Sequence, residues 1–361
     1  EVPLAPSAQT LLKSAPTQAR EMDLSDIRSV RASHRASALL AKRAGYDIVY
    51  VYAGHDLSLA QHFLLPRYNR RRDEYGGSLE NRVRLLREMI EDTKDAVGDT
   101  CAVAVRFAVD ELLGPDGMLA DGEAPEVIAM LAELPDLWDV NVSDWSNDSQ
   151  TARFAEEGYQ ESFTAFVKGL TTKPVVGVGR YTSPDRMAAL VAKGALDFIG
   201  AARPSIADPF LPKKIEQGRI EDIRECIGCN ICVSGDMTLT PIRCTQNPTM
   251  GEEWRKGWHP ERIAPSASGD NVLIVGAGPA GLECARALGQ RGYAVTLAEA
   301  GEALGGRILN ESRLPGMASY RRVVEYRRAA FDKLPNVETY LASELGADDA
   351  IAFGARHIVL A

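Results

Sequence analysis

Four of the six cysteines stand together: Cys226, Cys229 and Cys232 in a CxxCxxC run, with Cys244 following after eleven further residues. Three thiolates at two-residue gaps can wrap a compact loop around one inorganic cluster, and a more distant fourth can close the cage; the spacing points to a [4Fe-4S] cluster. A structural zinc site ordinarily draws on two separated CxxC pairs; zinc and free redox thiols are the other readings of these residues. An iron-sulfur cluster passes single electrons and so requires a redox partner. Cys101 and Cys284 are isolated, and six cysteines in 361 residues are too few for a disulfide scaffold.

A second group is Gly276-Ala277-Gly278-Pro279-Ala280-Gly281. It follows the apolar run Val272–Val275, opens a helix-like stretch, and precedes a second apolar run ending in Glu299. That context predicts a dinucleotide site, with a pyrophosphate against Gly276, Gly278 and Gly281 at the helix N-terminus and a ribose hydroxyl on Glu299.

A third group is dispersed. Short apolar runs lie at residues 48–52, 101–106, 140–143, 174–179 and 198–201, separated by helix-like segments such as 78–97 and 125–134. The alternation predicts βα units and a parallel sheet. His55, Arg106, Asp148, Arg180 and Arg203 stand at or beyond the C-terminal ends of these runs, the rim where a parallel barrel gathers its working residues. Five such runs are too few for a closed eight-stranded barrel, so either the sheet is open or the sequence starts inside a barrel. Residues 264–270 read as a linker. The division expected is residues 1–222 for the barrel part, 223–264 for a cluster lobe and 265–361 for the nucleotide-binding part.

Composition narrows the function. Apolar residues are 45% and charged residues 25% of the chain, as in ordinary globular proteins. With 41 Lys plus Arg against 50 Asp plus Glu, the formal charge of -9 argues against general nucleic-acid binding. No apolar stretch reaches the ~18 residues of a membrane span.

The run Leu65-Pro66-Arg67-Tyr68-Asn69-Arg70-Arg71-Arg72-Asp73-Glu74-Tyr75-Gly76-Gly77-Ser78-Leu79-Glu80-Asn81-Arg82 resembles the signature of the old yellow enzyme superfamily, FMN-dependent TIM-barrel oxidoreductases. By that resemblance Gly179-Arg180 and Gly200-Ala201-Ala202-Arg203 look like its FMN phosphate loops. Small residues there admit backbone N–H groups to a phosphate, and Arg180 and Arg203 add charge-assisted bonds. The segments Cys226–Cys232, Cys244-Thr245-Gln246-Asn247, Gly257-Trp258-His259-Pro260 and 202–210 narrow the likeness to trimethylamine, dimethylamine and histamine dehydrogenases.

The fold implied is α/β: a (β/α)8 TIM barrel represented by strands 4 to 8, then a [4Fe-4S] lobe, then the start of a Rossmann-like domain. The resemblance implies oxidation of an amine to an imine that hydrolyses to an aldehyde. Electrons then pass from FMN through the cluster to an electron-transferring flavoprotein. It further implies a homodimer, a cytoplasmic location inferred from the oxygen-sensitive cluster, and ADP rather than FAD in the nucleotide domain. The resemblance implies that the FMN is covalent in a full-length parent; neither Cys101 nor Cys284 matches the attachment position. An unclosed barrel exposes strand edges, so this polypeptide alone is expected not to form an active enzyme.

In the same alignment Tyr52 stands where the superfamily's reductases have the first histidine of HGAHGYL. Tyr52, His55 and Asp148 match the branch's catalytic residues, and Arg106 matches the arginine beside the flavin. Trp145 matches one wall of an aromatic bowl holding an alkylammonium by cation–π contact. Asp236 takes the place of a second bowl tryptophan, which favours a polar or diamine-like substrate such as histamine. The rival readings are an NAD(P)H-dependent enoate or 2,4-dienoyl-CoA reductase, against which Tyr52 argues, and a non-catalytic electron-transfer remnant.

Overall fold

A computed structural model describes residues 2–11, 17–146 and 155–361. The chain divides into two compact units, one of residues 2–146 and 158–200, the other of residues 155–157 and 201–361.

The first unit begins with short strands β1 (Leu4–Ala5), β2 (Gln9–Leu11) and β3 (Thr17–Glu21), in the order β1-β3-β2. It continues through α1 (Leu24–Arg43), β4 (Ile48–Ala53), α2 (Leu59–Leu64), α3 (Leu79–Val97), β5 (Ala102–Asp110), α4 (Ala124–Leu131), β6 (Leu137–Val142), α5 (Glu161–Thr164), β7 (Val175–Val178), α6 (Pro184–Ala192) and β8 (Phe198–Gly200). Strands β4 to β8 form one parallel sheet in sequential order. Sequential parallel strands joined through helices are the arrangement of a (β/α) barrel wall.

The β-branched and aromatic content of Ile48-Val49-Tyr50-Val51-Tyr52 suits a pleated strand, and the pleat sends alternate side chains to opposite faces. Val49, Val51, Val103, Val105, Phe107, Trp138, Val140 and Val175 are buried in the main core. Helix α3 covers them with Val83, Leu86, Met89 and Ile90. Ser78 caps that helix, its Oγ accepting from the Asn81 amide, and Glu80 lies in its first turn. The opposite face carries Ile48, Tyr50 and Phe198, 42%, 47% and 53% exposed. Parallel sheets are ordinarily covered on both faces; Tyr52 and Arg106 lie on this same face as Tyr50.

In the second unit, α7 (Ala202–Ala207) and α8 (Leu211–Glu216) precede the cysteine loop in the chain, α9 (Ile231–Met237) carries Cys232, and α10 (Glu253–Lys256) follows Cys244. There follow β9 (Asn271–Val275), α11 (Pro279–Gln290), β10 (Ala294–Ala298), α12 (Ile308–Glu311), α13 (Arg322–Phe331), β11 (Val337–Tyr340), α14 (Ala347–Ala352) and β12 (His357–Leu360). The parallel sheet has the order β11-β10-β9-β12, with β9 and β10 side by side and their apolar residues buried with Leu282 and Ala285 of α11. This is the Rossmann-like arrangement.

A buried ionic group ties the segment before α9 to Glu261, beyond α10. Lys214 donates to Asp208 Oδ2 at 2.7 Å and to Glu261 Oε1 at 3.1 Å, and Arg224 also donates to Glu261. Both cationic side chains are 1% exposed. Losing one partner would strand a buried charge.

Candidate active site, cysteine pocket and nucleotide cradle

The pleat and register bring the rim residues together. Across adjacent strands Tyr52 pairs with Arg106, Arg106 with Asp139, and Asp139 with Val176, a single row over β4, β5, β6 and β7. Beyond β4 the chain turns through His55 and Asp56, both left-handed at φ 57° and 55°. This conformation is uncommon outside glycine and characteristic of functional turns. The turn returns His55 toward its own strand, where its Nδ1 meets the Tyr52 hydroxyl in a short hydrogen bond, while its backbone bridges Asp144 beyond β6.

The other ring nitrogen, Nε2, lies 3.0 Å from the Asn141 amide. The orientation that satisfies every neighbour puts the Asn141 oxygen toward His55 Nε2 and toward Arg106 Nε and Nη2 at 3.2 and 3.3 Å, with its NH2 donating to the Phe107 carbonyl. His55 then carries its proton on Nε2 and accepts from Tyr52 at Nδ1. Arg106 Nη1 donates to Asp139 Oδ2 at 3.1 Å. The result is a continuous polar chain, Tyr52–His55–Asn141–Arg106–Asp139. Burial pushes the Asp139 carboxyl above the usual range, opposed by Arg106, and its Oδ1 is buried without a donor. A half-exposed guanidinium beside an unmet acceptor fits a ligand that both donates N–H bonds and takes up negative charge, as a flavin pyrimidine does.

Residues of the long signature run hold this turn in place. Tyr68 donates to Asp56 Oδ2 at 2.8 Å, and burial together with that carboxylate pushes its phenol up to about 12. Arg67 reaches both Asp56, at 3.2 Å, and the fully buried Glu111, at 2.8 Å. Gln61 accepts from the Asp56 amide and donates to Glu111. Asn69 donates to the carbonyls of Phe63 and Tyr75. The run is thus a scaffold behind His55.

Trp145 lies half-buried in the turn after β6. Asp148 lies outside the described residues; Asp236 is on α9, and its side chain lies outside them too. The phosphate-loop residues fall in different units. In the first, an added Cβ on Gly179 would press on Gly158, and one on Gly200 on Val178, so each glycine has a packing role; Arg180 is left-handed at φ 56°. In the second, Ala202 starts α7, and Arg203 donates to Asn230 Oδ1 at 2.6 Å on the cysteine loop.

Cys226, Cys229, Cys232 and Cys244 line one small pocket with Arg203, Ile206 and Ile227. Gly228 and Asn230 are left-handed, at φ 66° and 58°, which curls the loop, and the Gly228 amide donates to Cys226 Sγ at 3.4 Å. Burial pushes the Cys232 and Cys244 thiols up, and neighbouring cysteines add to it. Among the described residues no three His, Cys, Asp or Glu side chains are placed to hold a metal ion. Four thiols spread around a pocket, with an amide already directed at one sulfur, suit a polynuclear cluster better than a single zinc.

In the nucleotide cradle, Gly276 has φ 101° and its missing Cβ leaves room for Ala361, while Gly281 packs on the Gly276 carbonyl. A Cβ on Gly278 would meet nothing within 4 Å, which is the open approach a pyrophosphate needs. Glu299 bonds the cradle itself, accepting from the Ala277 and Gly301 amides at 2.8 Å each.

A parallel βα wall with a polar rim, a cysteine pocket and a Rossmann-like unit defines a class of flavin-dependent oxidoreductases. Residues 2–222 match the NADH:flavin oxidoreductase / NADH oxidase family, and the chain belongs to it; residues 274–343 match the NAD(P)-binding Rossmann-like domain. The five-stranded sheet is therefore part of a TIM barrel. Dimethylamine dehydrogenase of Hyphomicrobium sp. (strain x) is 43% identical over 96% of this chain, which spans 48% of that protein. Among solved structures, histamine dehydrogenase from Rhizobium sp. 4-9 has 55% identity and TM-score 0.96, covering 100% of this chain and 52% of its own. The 6-hydroxypseudooxynicotine amine oxidase of Pseudomonas geniculata N1 has 55% identity and TM-score 0.97, with 100% and 54% covered. This chain thus spans about half the length of the relatives it matches.

Asn141 and Asp139 were not singled out from the sequence, although Asp139-Val140-Asn141-Val142 alternates polar and apolar residues and thereby marks a strand with one polar face.

Proposed function

We propose that this chain supplies the acid–base half of an amine-oxidising flavoenzyme, with FMN as hydride acceptor, a [4Fe-4S] cluster for one-electron transfer, and ADP in the Rossmann-like unit. The observation that carries the reading is the Tyr52–His55–Asn141–Arg106 chain. Bound FMN supplies two-electron oxidation; the other steps belong to the protein.

An alkylammonium cannot release hydride until its nitrogen lone pair is free to support the developing iminium. Tyr52 accepts the ammonium proton as its own hydroxyl proton moves to His55 Nδ1. His55, now imidazolium, is held by the Asn141 oxygen at Nε2, and Asp148 is assigned as the carboxylate that shares its charge. Arg106 stabilises negative charge at the flavin. Gly179, Arg180, Gly200, Ala202 and Arg203 are assigned to the FMN phosphate; Cys226, Cys229, Cys232 and Cys244 to the cluster; Gly276, Gly278, Gly281 and Glu299 to the nucleotide. Trp145 and Asp236 are assigned to the substrate, and the carboxylate favours a histamine-like amine over trimethylamine. Electrons leave to an electron-transferring flavoprotein.

The test is anaerobic mixing of the holoenzyme with histamine, dimethylamine and trimethylamine while flavin bleaching is followed. Histamine should reduce the flavin most efficiently, and Tyr52→Phe should slow reduction by about 10²–10⁴-fold, the usual worth of a positioned proton acceptor. Flavin bleached by NADPH and not by amines, with turnover of an enoyl substrate, would reverse the reading.

A further inference from the structure

The peptide group between Ile227 and Gly228 is held at both ends. Its N–H donates to Cys226 Sγ at 3.4 Å, and its carbonyl accepts from Ser319 Oγ at 3.1 Å. Ser319 lies 92 residues on, in the short helical turn Ala318–Arg321 just before α13 of the nucleotide-binding half. A trans peptide is planar, so its N–H and C=O point in opposite directions. A donor on the carbonyl side therefore fixes where the amide points on the sulfur side, and polarises it.

The peptide before Cys226 is held at its carbonyl. Gln246, two residues past Cys244 and 1% exposed, donates to the Glu225 carbonyl at 3.2 Å. Its oxygen accepts from Arg327 of α13 at 2.9 Å. Arg327 is itself buried and donates to Glu283 of α11 at 2.8 Å. The carbonyls of Ile227 and Glu225 are thus fastened, the first directly to Ser319 and the second through Gln246 to Arg327 of α13. Arg322 adds an ion pair with Glu225.

We propose that Ser319 and Arg327 are positioning residues for the cluster: Ser319 anchors the Ile227–Gly228 peptide so that its N–H dipole is aimed at Cys226 Sγ and raises the cluster's reduction potential, and Arg327, through Gln246 and the Glu225 carbonyl, fixes the backbone that carries Cys226. Amide bonds to cluster sulfurs stabilise the more negative, reduced state, which is how hydrogen bonding sets potentials in iron-sulfur proteins. The inference rests on the cluster reading above. It gives the Rossmann-like half a task separate from nucleotide binding.

The experiment uses the full-length holoprotein. Iron and sulfide are first assayed in the parent; a protein lacking about four irons per chain overturns the cluster reading, and this inference with it. In loaded protein, Ser319→Ala should lower the potential of the cluster, followed by EPR during redox titration. The shift should correspond to about a threefold to tenfold weaker equilibrium for reduction, the worth of one hydrogen bond. Ser319→Thr, which keeps the hydroxyl, should restore it. Arg327→Met should act in the same direction, with iron released faster to a chelator. Should Arg327→Met fail to fold, Ser319→Ala decides alone. A fully loaded Ser319→Ala protein with unchanged potential and unchanged EPR line shape overturns the inference and leaves the cluster assignment standing.

Discussion

At the scale of the residue, the site works by fixing protons and charges one atom at a time. Tyr52 has an acceptor because the left-handed turn at His55 and Asp56 brings Nδ1 back to its hydroxyl. Arg106 has a counter-ion because Asp139 stands opposite it in register. Asp139 gives a pH prediction. Burial raises its carboxyl above the ordinary range, with Arg106 opposing, so the folded protein holds that proton more tightly than the unfolded chain does. Stability from this group is therefore present at low pH and is lost as pH rises from about 4, the unfolded value, through the folded one. Asp139→Asn should flatten that decline. Thermal melts of parent and variant from pH 4 upward should converge at the acid end and separate in favour of the variant above it.

At the scale of the element, apolar runs located β4 to β10 because β-branched side chains stack on pleated faces whatever their surroundings, and Ser78 marked the start of α3. The strand Val337–Tyr340 left no such mark: Val-Glu-Thr-Tyr lies at the sheet edge with three of its four residues exposed. The rim positions of His55 and Arg106 were legible from their place at the ends of apolar runs, while Tyr52 and the roles expected of all three came from the resemblance. The contacts of Asn141 depend on register between strands, which no local pattern encodes. Likewise Ser319 reaches the cysteine loop through packing across 92 residues of chain. The glycine-rich turn after β9 was fully legible, and it carries a prediction. A methyl group on Gly281 would drive into the Gly276 carbonyl, so Gly281→Ala should cost about 1–3 kcal/mol and abolish binding of the nucleotide proposed for this turn. Gly278→Ala, where space is open, should weaken binding without lowering the melting temperature. Melting curves and the nucleotide content of purified protein distinguish the two.

At the scale of the whole molecule, two compact units each carry a parallel sheet, and the chemistry assigned to them differs in kind: proton handling in one, electron and nucleotide handling in the other. The row Tyr52, Arg106, Asp139 and Val176 crosses four hydrogen-bonded strands. Neighbouring strands are about 4.8 Å apart, so Tyr52 and Arg106, to which the proposal assigns chemistry, are spaced by a lattice of backbone bonds. The strand-borne members of that row cannot shift relative to one another while the sheet survives. Under the proposed function, heat inactivation of the full-length holoenzyme should therefore not outlast loss of the sheet's circular dichroism, and activity persisting after β4 to β7 have melted would overturn the assignment of Tyr52 and Arg106.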